Sequence, residues 1–286
     1  MSLGIAIALA LLSAVAVNLG YLLEQQAASA LPELSFHHPI RSVSLLVHDR
    51  RWLRGFGTET AGFLCYVAAV GLAPLSLVQS ISAGGVAVLA FLVARATGVP
   101  LSRRQVIGVV FAVIGLVCLG ISLAGAHGEG KPHDIAIAIW IGGSALAAAA
   151  AMLLGRRRRY GGAAYGVAAG VLFAAGDVST KLVVSGGLHT VFLPTLIAGY
   201  ALGTGSLQLG FQRGGALTTA GIATLLTNAL PIVAATLVLG EPLPTGSLRV
   251  LRIVAFAAVV IGGVLLARAP DPSSAAGRAA VPSPAR

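Results

Sequence analysis

TTAGIATLLTNALPIVAATLVLGE, residues 218–241, carries no charge before Glu241. It is long enough to cross a bilayer as a helix, which takes about 20 residues. Thr224, Thr227, Asn228 and Pro231 interrupt it. A proline at 231 removes one backbone donor and frees the carbonyl of Thr227, one turn earlier. Freed backbone at membrane depth survives only where protein or a water-filled cavity covers it. The stretch is therefore expected to face the interior of a bundle, not lipid.

It has an echo. Residues 73–96 read APLSLVQSISAGGVAVLAFLVARA, and an offset of 143 lays Gly84-Gly85 on Thr227-Asn228. With about four residues inserted, AVIGLVCLG (112–120) falls on VVIGGVLLA (259–267). Interrupted apolar segments at matching positions of two halves are the sequence mark of a transporter's binding site.

Composition fixes the class. Of 286 residues, 57% are hydrophobic and 10% charged, against about 25% charged in a soluble domain. This is a polytopic membrane protein. The net charge of +10 does not read as nucleic-acid binding, because the cations sit in short loops between apolar spans, where they set orientation. Cys65 and Cys118 lie within apolar spans and form no disulfide or zinc pattern. Ala28-Ser29-Ala30 resembles a signal-peptidase site, but no Lys or Arg precedes the first apolar run. That run is also too long for a leader, so it is kept as a spanning helix.

Nine spans are expected, near 3–23, 53–72, 74–96, 105–125, 134–154, 163–184, 190–211, 216–239 and 250–268. Fifteen of the nineteen Lys and Arg fall on one side of this array and three on the other, with Lys181 inside a span. The positive-inside rule then puts the N-terminus outside and the C-terminus in the cytoplasm of a plasma-membrane protein. The expected fold is an all-α polytopic bundle with an inverted 4+1+4 repeat. Residues 1–125 form one four-helix unit, 126–160 a linking helix with its basic loop, and 161–268 the second unit. The tail 269–286, rich in Pro, Ala and Ser, is expected to be disordered. The inner loop 27–52 contains an SVSLLV run too short to span, which reads as interfacial helix or as plain loop.

Ionisable side chains inside spans are costly and point to function. Glu59 has no cationic neighbour in its own span; it suits a proton relay, a cation ligand, or a protonated hydrogen bond to another helix. Asp177 and Lys181 are four apart and share a helix face, either as a self-neutralising pair or with Asp177 on the pathway. Asn18, Gln79, Ser82, Thr204, Gln208, Thr227 and Asn228 form a candidate polar lining. Gly84, Gly85 and Pro231 are candidate hinges. The loop residues His127, Glu129, His133 and Asp134 match no metal motif. Span five, rich in Ala and Gly, suits close helix packing or a homodimer contact. No catalytic or nucleotide-binding motif is present, so neither an enzyme nor a cofactor is expected.

APLSLVQ (73–79), VPLSRRQVIG (99–108), AVIGL (112–116), LVLGEPLPTGSLRV (237–250) and VVIGGVLL (259–266) together resemble the EamA-like drug/metabolite transporter superfamily. Within it, Trp52, Gly55, Ala73, Pro74, Ser76, Leu77 and Val78 resemble the nine-helix group of NIPA-like magnesium transporters. Actinobacterial membrane proteins rich in Ala, Val and Leu look similar too. The chain departs from the NIPA pattern at Ser80-Ile81-Ser82, where that group has Pro-Leu-Gly, and at Glu24-Gln25-Gln26, where it is Lys-rich. The resemblance implies a secondary transporter working by alternating access on a small solute or cation. Magnesium is one alternative substrate and a lipid-linked sugar another; a non-transporting envelope scaffold is the rival class.

Overall fold

In this computed structural model the chain is described at residues 2–72, 78, 81–82, 84–123, 134–157, 160–184, 187–238, 240 and 246–268. All secondary structure among them is helical. The helices are α1 (Ser2–Ala30), α2 (Pro39–His48), α3 (Arg50–Leu72), α4 (Gly85–Thr97), α5 (Arg103–Leu123), α6 (Asp134–Gly155), α7 (Gly161–Val184), α8 (Leu193–Arg213), α9 (Ala216–Leu237) and α10 (Ser247–Ala267). Six segments among the described residues are long and apolar enough to cross a membrane; α4 is apolar but shorter. The molecule is a membrane helical bundle. The tail 269–286, Gln79, Lys131 and the loop residues His127, Glu129 and His133 lie outside the described residues.

Local chemistry sets the boundaries. Pro39 opens α2, where its missing N–H costs nothing. Asp49 caps α3: its Oδ1 accepts from the backbone N–H of Arg51 and Trp52, both at 2.8 Å. Ser102 and Gln105 cap α5 reciprocally, each side chain bonding the other's backbone N–H at 3.3 and 2.8 Å. Gly98, at φ +66°, ends α4 in the left-handed conformation.

Among the described residues, spans one and seven differ in extent from the sequence expectation, and span three, expected at 74–96, is described as a helix only from Gly85 to Thr97. Span one continues past residue 23 to Ala30, because Glu24, Gln25, Ala27 and Ala28 are buried by neighbouring helices rather than released to water. Span seven starts at Leu193 and is preceded by a 3₁₀ turn, Gly187–Phe192. The SVSLLV run is helical, within α2.

α1 packs along α3, α7 along α8 and α5 along α10; α1 also meets α4, and α7 meets α9. At the α5–α10 seam a Cβ on Gly115 would lie 2.8 Å from Val259, and one on Gly262 would lie 2.9 Å from the Ala112 nitrogen. The main core joins Leu89, Leu116, Phe173, Leu207, Leu225 and Val259 from six helices. α6 packs chiefly on α7. Its outer face carries Ile135, Ile139, Leu146 and Leu153, all exposed, as suits a face against lipid.

Candidate functional site

GYLLE (20–24) on α1 and GFGTE (55–59) on α3 share one spacing. The two helices run antiparallel, and the motifs meet. A Cβ on Gly20 would lie 2.8 Å from the Glu59 Cβ, and a Cβ on Gly55 would lie 2.8 Å from the Glu24 Cγ. Each glycine thus makes room for the other helix's glutamate. Small residues let membrane helices approach this closely, and here the approach sets two carboxyl groups side by side.

Glu24 is fully buried. Its Oε2 accepts a hydrogen bond from Gln208 Nε2 on α8 at 2.5 Å. The Glu59 carboxyl lies within interaction range of Glu24 and of the Tyr21 hydroxyl. Tyr21 in turn is within electrostatic reach of Glu24, Glu59 and Asp177. Acidic groups from α1, α3 and α7 therefore lie within electrostatic reach of one tyrosine. Among the side chains that are described, which do not include that of Lys181, no Lys, Arg or His is within electrostatic reach of the glutamate pair. Two negative charges this close in low dielectric would need a positive one, such as a proton or a metal cation.

Asp177 is held by Tyr200 on α8, whose hydroxyl donates to its Oδ1 at 2.6 Å. The sequence pairs Asp177 with Lys181, whose side chain lies outside the described ones. Asn18 Nδ2 donates to the Ala14 carbonyl at 2.7 Å and packs on Gly85, where a Cβ would come within 2.5 Å of it. Asn228 makes the same bond one turn back, to the Thr224 carbonyl at 2.7 Å. Thr204 is half-buried on α8, four residues before Gln208. Gly84 closes a turn by donating to the Ile81 carbonyl, and Pro231 lies inside α9, which stays helical to Leu237.

Several of these side chains keep an oxygen without a protein partner. Asn18 Oδ1, Gln208 Oε1, Ser82 Oγ, Ser179 Oγ and Thr227 Oγ1 are all buried and unbonded, and Glu24 Oε1 has only the Glu59 carboxyl beside it. Buried polar atoms are rarely left so, since each costs about 1–3 kcal/mol. Hydroxyl, amide and carboxylate oxygens suit water and hard cations. No three His, Cys, Asp or Glu among the described residues form a direct metal cage.

Glu24, Tyr21 and Gln212 were not singled out by sequence. The shared Gly-x-x-x-Glu spacing on the first two long helices was the available signal for Glu24. Gln212, one turn beyond Gln208, joins α8 to the end of α1. Its Nε2 donates to the carbonyls of Ala28 at 2.9 Å and Pro32 at 3.0 Å, and its Oε1 accepts from Leu34 N–H at 2.9 Å.

Comparison with known proteins adds one relative. A probable magnesium transporter of Arabidopsis thaliana, NIPA9, is 27% identical over 274 residues, covering 87% of this chain and 78% of the relative. The chain is similar to a NIPA-type protein. This agrees with the resemblance read from Trp52, Gly55 and the residues around Pro74. No protein-family model matches the chain, and no solved structure matches it.

Proposed function

We propose that this chain is a secondary transporter of the drug/metabolite type and that its substrate is a hydrated divalent cation, Mg²⁺. The observation that carries the reading is the facing Glu24–Glu59 pair, in which Glu24 is buried and supported by Gln208 and Glu59 is half-buried. Mg²⁺ retains several waters and is usually held by one or two carboxylates. A two-carboxylate site flanked by neutral oxygens offers that. The relative's description as a probable magnesium transporter supports the same substrate.

In this mechanism the ion approaches Glu24 and Glu59 with its inner waters, and the unbonded oxygens of Asn18 and Gln208 receive those waters. Asp177, across Tyr21, draws the ion toward the second half of the bundle. The α1–α3 and α7–α8 pairings, and the mutual α5–α10 contact, support two inverted halves, 1–125 and 161–268, that rock to expose the site to either side. Gly84-Gly85 and Pro231 would absorb the motion. The N-terminus would lie outside the plasma membrane and the C-terminus in the cytoplasm, and the chain performs no catalysis.

The test is Mg²⁺ flux in proteoliposomes, with wild type, Glu24→Gln and Glu59→Gln side by side. Flux in wild type and its loss in both variants, at unchanged thermal stability, is the expected result. Absence of flux in folded wild-type protein would overturn the substrate assignment.

A further inference from the structure

At the basic end of the bundle, the segment after α1 folds back over α7 and α8 and borders a half-open cavity of about 480 Å³. Among the described residues its lining holds three arginines, Arg41, Arg156 and Arg213, and the imidazoles of His37 and His38, against one carboxylate, that of Glu33. Arg213 is fixed from two directions. Its guanidinium lies 5.0 Å above the Tyr165 ring, and Nη2 donates to Glu33 Oε1 at 3.2 Å. Its other amino group, Nη1, is buried with no protein partner. An arginine held beside the cavity in this way, with one amino group unpartnered, suits an oxyanion.

The neighbouring helix says where that oxyanion comes from. α2 follows the cavity directly, and Ile40, Val43 and Val47 are 85%, 56% and 42% exposed. They fall at helical spacing along one side of the helix, while Leu46 is buried against the bundle. A short helix with an unburied apolar stripe beside arginines belongs in the plane of the membrane interface. The cavity mouth then lies at headgroup depth. We infer that this cavity seats the phosphate of an anionic membrane lipid, whose acyl chains run along Ile40, Val43 and Val47. A free phosphate shares the headgroup's chemistry but has no use for the apolar stripe. The site is separate from the carboxylate pair and does not require that the chain move Mg²⁺.

The full-length chain, purified in detergent, is titrated with phosphatidylglycerol, with phosphatidylcholine of the same acyl chains, and with inorganic phosphate. Binding is read by native mass spectrometry and by thermal shift. Phosphatidylglycerol is expected to bind and to raise the Tm, and phosphatidylcholine and inorganic phosphate are not. Arg41 and Arg156 are both exposed, so Arg41→Gln and Arg156→Gln are expected to fold. Each should weaken phosphatidylglycerol binding about fivefold, the effect of one basic residue near a membrane surface. Equal binding of the two lipids, or wild-type affinity in the Arg41→Gln/Arg156→Gln double variant, would overturn the site. A response to inorganic phosphate as strong as that to phosphatidylglycerol would overturn the lipid as its occupant.

Discussion

Gly55 and Glu24 compete for the same space: a Cβ on Gly55 would lie 2.8 Å from the Glu24 Cγ. The acidic site exists because residue 55 has no side chain. Gly55→Val should force α1 and α3 apart, at the ~1–3 kcal/mol typical of overpacking, and should abolish Mg²⁺ flux with it. Gly57, two residues on, has nothing within 4 Å of its Cβ position. Gly57→Val should leave both flux and melting temperature near wild type. Equal behaviour of the two variants in a melt and a flux assay would remove the close approach as the cause.

The two glutamates should act as one unit. Glu24→Gln and Glu59→Gln are each expected to lower Mg²⁺ flux at least about tenfold, the scale seen when groups around a metal site are removed. The double variant should lose little more than either single, because groups working together are strongly non-additive. Independent, multiplying losses in initial-rate measurements would mean that the carboxylates serve separate steps.

Gln208 should matter through Glu24. Gln208→Leu removes the donor to a fully buried carboxylate, at a cost of about 1–3 kcal/mol. Adding Glu24→Leu removes the stranded acceptor too, so the double variant should melt above Gln208→Leu alone. A double variant that melts lower than the single would show that the two side chains are not coupled.

A hydrated pathway makes an accessibility prediction. In a background where Cys65 and Cys118 are replaced by alanine, Ser82→Cys and Thr227→Cys should react with a membrane-impermeant thiol reagent, and Mg²⁺ should slow the reaction. Leu146→Cys, on the exposed apolar face of α6, should stay unreactive in lipid. Failure of both polar positions to label would favour the scaffold reading, which needs no water-filled interior.

Much of the bundle was legible because apolar length is a one-dimensional property: the spans at 105–125, 134–154 and 216–239 match α5, α6 and α9 within a few residues. Glu59 was legible for the same reason, as a charge inside an apolar run. Glu24 was not. Glu24-Gln25-Gln26 looks like a helix reaching water, and only the packing of α3 and α8 turns it into core. Asp177 shows the same limit. Spacing along α7 says nothing of Tyr200, on the next helix, whose hydroxyl donates to Asp177; the side chain of Lys181 lies outside the described ones. Contacts within a helix can be read from spacing; contacts between helices depend on how the bundle closes.

The α5–α10 seam constrains how the molecule can move. Val259 fits over Gly115, and Gly262 fits over Ala112, like teeth set in matching notches. Sliding α10 by one residue, about 1.5 Å, would carry Val259 off its glycine and onto a neighbour that has a side chain. Turning about the seam leaves every notch engaged. In the proposed rocking of the two halves the low-cost motion would be a roll about one fixed line, so distances measured across the α5–α10 contact should stay constant while those between α1 and α8 change.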